Sequence, residues 1–138
     1  MKNRISRTIV YCMIGLAVII MGTVGCSQKK KATGLVQGKV TYNDAPLTNG
    51  TVVFQATNGE DQSSAELDAS GVFVLPGAIM PGEYRVALLP VLRSDMDPDE
   101  SKAAMDAFPI KGNYQIPEES PLQFTVVPGK NTAAFTIP

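Results

Sequence analysis

Between Val36 and Ile137 the chain alternates apolar and polar residues in short bursts, separated by clusters of Gly, Pro, Asn and Asp. Val36, Gly38, Val40 and Tyr42 alternate with Gln37, Lys39 and Thr41, the period-two pattern of a strand with one buried face. Asn43-Asp44-Ala45-Pro46 breaks the run with turn formers, and Asn49-Gly50 breaks it again. Residues 51–56 resume the alternation, with Val52 and Phe54 on one face and Thr51, Val53 and Gln55 on the other. Asn58-Gly59-Glu60-Asp61 is read as a turn. Residues 64–68 are a short strand with Ala65 and Leu67 inward, and Asp68-Ala69-Ser70-Gly71 is a tight turn. Phe73 and Leu75 are the core pair of residues 72–75. Pro76-Gly77 and Pro81-Gly82 bracket a loop, after which residues 83–89 bury Tyr84, Val86 and Leu88. Residues 122–127 and 132–137 flank Pro128-Gly129-Lys130-Asn131, read as a hairpin turn. Seven strands with turn signals at this spacing predict an all-β sandwich.

One stretch does not alternate. Residues 91–121 form a long irregular insert, and loops of that length are uncommon in compact domains. It holds Asp95-Met96-Asp97-Pro98-Asp99-Glu100, the densest acidic cluster in the chain. Carboxylates at alternate positions can wrap calcium. Against the EF-hand template, however, Glu100 stands where Gly is needed and Asp106 where a bidentate Glu is needed. A helix start accounts for the cluster and for the proline: Asp97 as N-cap, Pro98 as first helical residue, Glu100 as capping-box partner. The short helix then covers residues 101–107 and stops at Phe108-Pro109. Met96 and Met105 are expected as loop and helix contacts to the core.

The N-terminus carries a different pattern. Lys2, Arg4 and Arg7 precede an uncharged apolar run over residues 8–21, and Gly22-Thr23-Val24-Gly25 supplies small residues before Cys26. This is a bacterial export signal. Cys26 directly after Val24-Gly25 resembles the lipobox of bacterial lipoproteins, although Thr23 stands where Leu is usual. The resemblance implies cleavage after residue 25 and acyl chains on Cys26 that hold the protein in a membrane. The alternative is an uncleaved anchor: residues 8–24 reach the lower edge of the ~17–25 needed to span a bilayer. Ser27, rather than Asp, points to an outer membrane, facing the periplasm or the surface. Residues 26–34, with Lys29, Lys30 and Lys31, read as a tether, and residues 35–138 as a single domain.

Charge and composition narrow the function. The chain of 138 residues has 12 Lys+Arg, 13 Asp+Glu and no His. Without residues 1–25 it keeps nine basic and thirteen acidic residues, a net of −4, so no nucleic-acid partner is expected. The absence of His removes the commonest general base, and with only Cys12 and Cys26 no N/S zinc site is expected. Cys12 lies in the apolar run, so no structural disulfide to Cys26 is expected. Glu118-Glu119 could serve glycoside hydrolysis only if held across a cleft. Ser63, Ser64, Ser70 and Ser120 have no His to activate them. Tyr114, with Lys111 and Asn113, could form a small sugar- or peptide-binding patch, or pack over the end of the sandwich.

The segments Val36-Gln-Gly-Lys-Val-Thr-Tyr, Leu47-Thr-Asn-Gly-Thr-Val-Val-Phe, Asp68-Ala-Ser-Gly-Val-Phe and Pro81-Gly-Glu-Tyr-Arg-Val together resemble the carboxypeptidase regulatory-like domain. The tail Ser120-Pro-Leu-Gln-Phe-Thr-Val-Val-Pro-Gly-Lys-Asn131 resembles its bacterial lipoprotein branch. Leu67 departs from the family's usual Thr before Asp68, and residues 113–117 depart from the usual opening of the tail. The resemblance spans residues 35–137 and implies a seven-stranded transthyretin-like, or prealbumin-like, sandwich without peptidase activity. The function expected is a non-catalytic, lipid-anchored structural or protein-interaction module of the cell envelope, without cofactor. The alternative is a carbohydrate- or peptide-binding accessory lipoprotein of an envelope enzyme or transport system.

Overall fold

The computed structural model describes residues 31–138. Cys26 and the export signal lie outside the described residues. Among the described residues eight strands make two four-stranded sheets. Sheet 1 holds β1 (Gly34–Tyr42), β2 (Ala45–Pro46), β5 (Val72–Val74) and β8 (Gly129–Ile137). Sheet 2 holds β3 (Gly50–Ala56), β4 (Gln62–Glu66), β6 (Gly82–Pro90) and β7 (Gln123–Val126), in the order β4-β3-β6-β7. The eighth strand beyond the seven expected is β2, two residues paired back onto Thr41 and Tyr42. Asn43 and Asp44 both take positive φ (49° and 64°), the backbone of a two-residue hairpin whose twist matches its strands.

β1 is the axis of sheet 1. It pairs antiparallel with β5 on one side and parallel with β8 along nine residues on the other, from Gly34↔Gly129 to Tyr42↔Ile137. The first and last strands of the domain therefore close against each other. The two sheets meet through the alternating residues that point inward: Val36, Val40, Phe73, Ala133, Phe135 and Ile137 from sheet 1, Val52, Phe54, Tyr84, Val86, Leu88 and Val126 from sheet 2. Phe54 sits at their junction. Its ring centroid lies 5.7 Å from Phe73 and 6.1 Å from Phe135 across the sheets, within the range of favourable tilted aromatic pairs.

Two expectations are corrected here. Residues 128–131 are not a hairpin turn, because β7 belongs to sheet 2 and β8 to sheet 1. The chain crosses between the sheets at Pro128, and the buried Asn131 side chain makes the crossing. Its Oδ1 accepts from the Val127 N–H (2.9 Å), and its Nδ2 donates to the carbonyls of Val127 (2.8 Å) and Gly129 (3.1 Å). One amide thus answers the backbone groups that a hairpin partner would have answered. The third strand also ends at Glu66 rather than Asp68, because Asp68 is committed to the next turn: its Oδ1 accepts from the N–H groups of Ser70 (2.7 Å) and Val72 (2.9 Å).

Gly71 closes that turn at φ 72°, and its carbonyl accepts from Val40 N–H at 2.8 Å. A Cβ there would stand 2.5 Å from the Val40 carbonyl oxygen, so both conformation and space demand glycine. Gly71→Ala should lower the unfolding free energy by about 2–3 kcal/mol, read from urea denaturation with an unchanged slope. A loss within error of zero would mean that the turn relaxes freely.

Candidate functional site

The insert folds where the acidic cluster predicts a helix start. α1 spans Pro98–Ala107, with Pro98 first and Asp97 as N-cap. Asp97 Oδ1 accepts from Glu100 N–H (2.8 Å), and Glu100 Oε2 accepts from Asp97 N–H (3.2 Å), a reciprocal capping box. Asp106 is paired with Lys102 one turn back at 2.5 Å, fully at the surface. Among the described residues no three acidic or thiol side chains converge as metal ligands. The helix buries none of its residues completely; its ends hold it in place. After it, Phe108 and Ile110 enter the core, and Lys111 Nζ returns to the carbonyls of Met105 and Asp106, where a cation offsets the unpaired C-terminal groups.

This corrects one placement. Met105 is 36% exposed instead of touching the core, because the inward stripe of α1 runs through Ser101 and Ala104. The Lys111 ammonium is engaged at the C-terminal end of α1. Tyr114, in the 3-10 helix Gly112–Gln115, is half-buried and packed against the core cluster, so the packing alternative holds for its ring. Asn113 offers its carbonyl to Ile116 N–H.

The rest of the insert runs back along sheet 2. Glu118 Oε1 accepts from Gln55 Nε2 (3.1 Å), while Glu119 stays at the surface. Ser120 is wholly buried: its Oγ donates to the Val86 carbonyl (2.5 Å) and accepts from Leu122 N–H (3.2 Å). Arg85 reaches the Ser120 carbonyl at 3.1 Å. Ser120 therefore extends the β6–β7 ladder with a side chain. A Ser-Pro pair before an alternating run was the one sequence signal for this role.

What the insert builds is a cleft of about 670 Å³ between α1, the β1–β2 hairpin with the residues that follow it, and the end of β4. Its floor is the buried Leu47, Leu67 and Phe108, and Tyr42, Glu66 and Arg93 stand around it. Met96 lines it, its sulfur 3.5 Å from the Arg93 N–H. Asn49 at its edge takes φ 57°, a left-handed position that asparagine tolerates. Tyr114 is not among the residues lining this cleft. The cleft combines an apolar floor with one positive and one negative side chain at its sides.

At the opposite end of the sandwich, Asp61 and Tyr84 form the other polar constellation. The Tyr84 hydroxyl lies 2.8 Å from Asp61 Oδ2 and 2.9 Å from the Met80 carbonyl, and Met80 N–H donates to the same Oδ2 at 3.0 Å. The Met80 N–H, then the Tyr84 hydroxyl, hold the Asp61 carboxyl below the usual carboxylate range. Burial, followed by the bond to Asp61, pushes the Tyr84 phenol above its ordinary value. Together they staple the loop before β6 to the β3–β4 turn. The geometry is that of a tyrosine corner, with the hydroxyl bonding backbone a few residues upstream.

Comparison with known proteins finds no matching family model, no matching curated protein and no matching solved structure. Among the described residues no helix is long and apolar enough to cross a membrane.

Because its folded pKa is depressed, Asp61 contributes stability that is complete above the unfolded carboxylate value near ~3.9 and is lost as pH falls through the lower folded value. Asp61→Asn should cost about 1–3 kcal/mol at pH 7 and flatten the acid limb of the stability–pH curve below pH ~4. Thermal melts of both proteins between pH 2 and 7 check this; parallel curves would show that Asp61 is not the group responsible.

Proposed function

We propose that this chain is a lipid-anchored, non-catalytic interaction module of the bacterial cell envelope, built on a transthyretin-like sandwich of the carboxypeptidase regulatory-like type. The observation that carries the reading is the open edge of β8. Asn43 N–H donates to the Ile137 carbonyl and Gly129 N–H to the Thr33 carbonyl, so the odd-numbered residues of β8 turn their backbone groups toward β1. The even-numbered Lys130, Thr132, Ala134 and Thr136 direct theirs to the open side, where no described strand pairs with them. Natural edges are blunted by charges, prolines or bulges. Here only Lys130, at the start of nine residues, is charged. An extended segment of a protein partner fits such an edge by adding a strand.

The non-catalytic part of the reading is supported by how the polar side chains are already used. Asp61, Asp68, Asp97, Lys111, Ser120 and Asn131 all spend their bonding capacity on turns, caps and sheet crossings. A second reading, a peptide- or carbohydrate-binding accessory lipoprotein, is favoured by the cleft beneath α1 rather than by Tyr114.

In-cell cross-linking through the β8 edge should retain a discrete envelope protein, and Ala134→Pro should lose it. The Ala134 N–H faces the open side, so the substitution removes no internal ladder bond and should cost less than about 1.5 kcal/mol. A partner retained equally by Ala134→Pro, with the melting temperature unchanged, would move the interaction elsewhere. The anchor has a separate check. Intact mass of detergent-extracted protein should show residues 1–25 absent and an acylated Cys26, and an unmodified full-length chain would refute it.

A further inference from the structure

Among the described residues none covers the outward face of sheet 1, which differs in charge from the rest of the domain. It presents Leu35, Gln37, Lys39 and Thr41 from β1, Val72 and Val74 from β5, and Lys130, Thr132, Ala134 and Thr136 from β8. Leu35 is 53% exposed and Val74 63%. Val72, at 36%, stands beside Lys39, while Leu35 stands beside Lys130 and borders a shallow hollow shared with Val74. The described residues hold thirteen acids against seven lysines and arginines, yet this face has two lysines and no carboxylate. Aliphatic side chains alternating with ammonium groups on a flat sheet match the boundary of an anionic bilayer, where apolar side chains enter the interface and lysines meet lipid phosphates. The chain adds a constraint of reach. Eight residue steps lead from Cys26 to Gly34, the start of β1, a span of at most about 28 Å.

We propose that sheet 1 lies face-down on an anionic phospholipid surface, with Leu35, Val72 and Val74 in the interface and Lys39 and Lys130 on phosphate groups. The proposal rests on the anchored reading above, and adds to it an orientation. The insert, on the other sheet, is turned away from the lipid. The β8 edge runs along the membrane plane, open to neighbours anchored beside it.

The chain has no tryptophan, so one introduced residue reports its own surroundings. Full-length protein carrying Val74→Trp would be reconstituted into nanodiscs of brominated phosphatidylcholine with phosphatidylglycerol, and compared with Ala103→Trp on the exposed side of α1. The Val74→Trp emission should shift to the blue and lose roughly half or more of its intensity to the bromines, since interfacial side chains enter only ~5–10 Å. Ala103→Trp should lose little. Lys39→Glu with Lys130→Glu should restore the Val74→Trp emission to the Ala103→Trp level. Equal quenching at the two positions would overturn the proposal. So would a blue-shifted but unquenched Val74→Trp whose shift grows with protein per disc, which would assign the face to a second copy of the chain. Intact mass of the same discs separates the two readings. An acylated Cys26 with an unquenched Val74→Trp refutes the docking alone, and a quenched Val74→Trp without acylation refutes the lipid anchor alone.

Discussion

The ring of Phe54 touches aromatic residues of both sheets: Phe73 and Phe135 from sheet 1, Tyr84 and Phe124 from its own, at centroid distances between 5.7 and 6.3 Å. The Phe54 ring adds side-chain packing to the backbone ladder that ties β5 to β1. β5 is three residues long and places one buried side chain, Phe73, in the core. Without the Phe54 ring, the space left would not be refilled by its neighbours, since Phe73 and Phe135 are already stacked on each other with ring planes 12° apart. Truncating a buried phenylalanine of this kind costs on the order of 3–5 kcal/mol, a large part of what a domain this size has in reserve. The parallel β1–β8 pair depends on the same cluster, because Phe135 is the β8 residue that reaches it.

Most of the strands were legible because a half-buried strand writes its own period into the sequence. Val36, Val40, Val52, Phe54, Phe73, Tyr84, Val86 and Leu88 all face the core as their alternation requires. The capping box at Asp97 and Glu100 was legible for the same reason, since it is local chemistry at fixed spacing. Sheet membership was not. Period two says which face of a strand is apolar but not which strand lies beside it, and Pro128-Gly129 reads as a hairpin until Asn131 is seen bonding back to Val127. Val53 was assigned to the outward face, yet it is buried. That burial belongs to a face whose neighbours Gln55 and Arg85 are held by the returning insert, a contact no local pattern encodes.

The candidate site was the least legible part. The cleft draws Tyr42, Leu47, Leu67, Arg93 and Phe108 from five separate stretches, each of which reads on its own as strand end, turn or loop. Tyr114 drew attention as a tyrosine in a polar loop, but a single aromatic at such a place is as useful for covering a core edge as for touching a ligand. Ser120, which reads in the sequence as a loop serine with no His to activate it, proves to be a substitute for missing backbone partners. A domain that commits its polar side chains to its own turns leaves recognition to main-chain edges, flat faces and shallow clefts.

Those surfaces are weak binders taken singly, and the proposed lipid anchor would change what weak means. Three exposed aliphatic side chains and two lysines would hold a free domain to a bilayer only marginally, since each lysine near an anionic surface adds about 1 kcal/mol. Under the proposed anchoring, confinement within about 28 Å of the anchor point would turn that contact into an intramolecular one, at an effective concentration in the millimolar range for a short flexible link. The same logic extends to the β8 edge. A strand-adding partner that is itself anchored searches a plane rather than a volume, and Thr132, Ala134 and Thr136 offer it unpaired backbone groups with little side-chain obstruction. A modest face and a modest edge would therefore suffice if, as proposed, one chain carries both within reach of the membrane. Carrying them on separate, untethered proteins would require far stronger contacts than either surface presents.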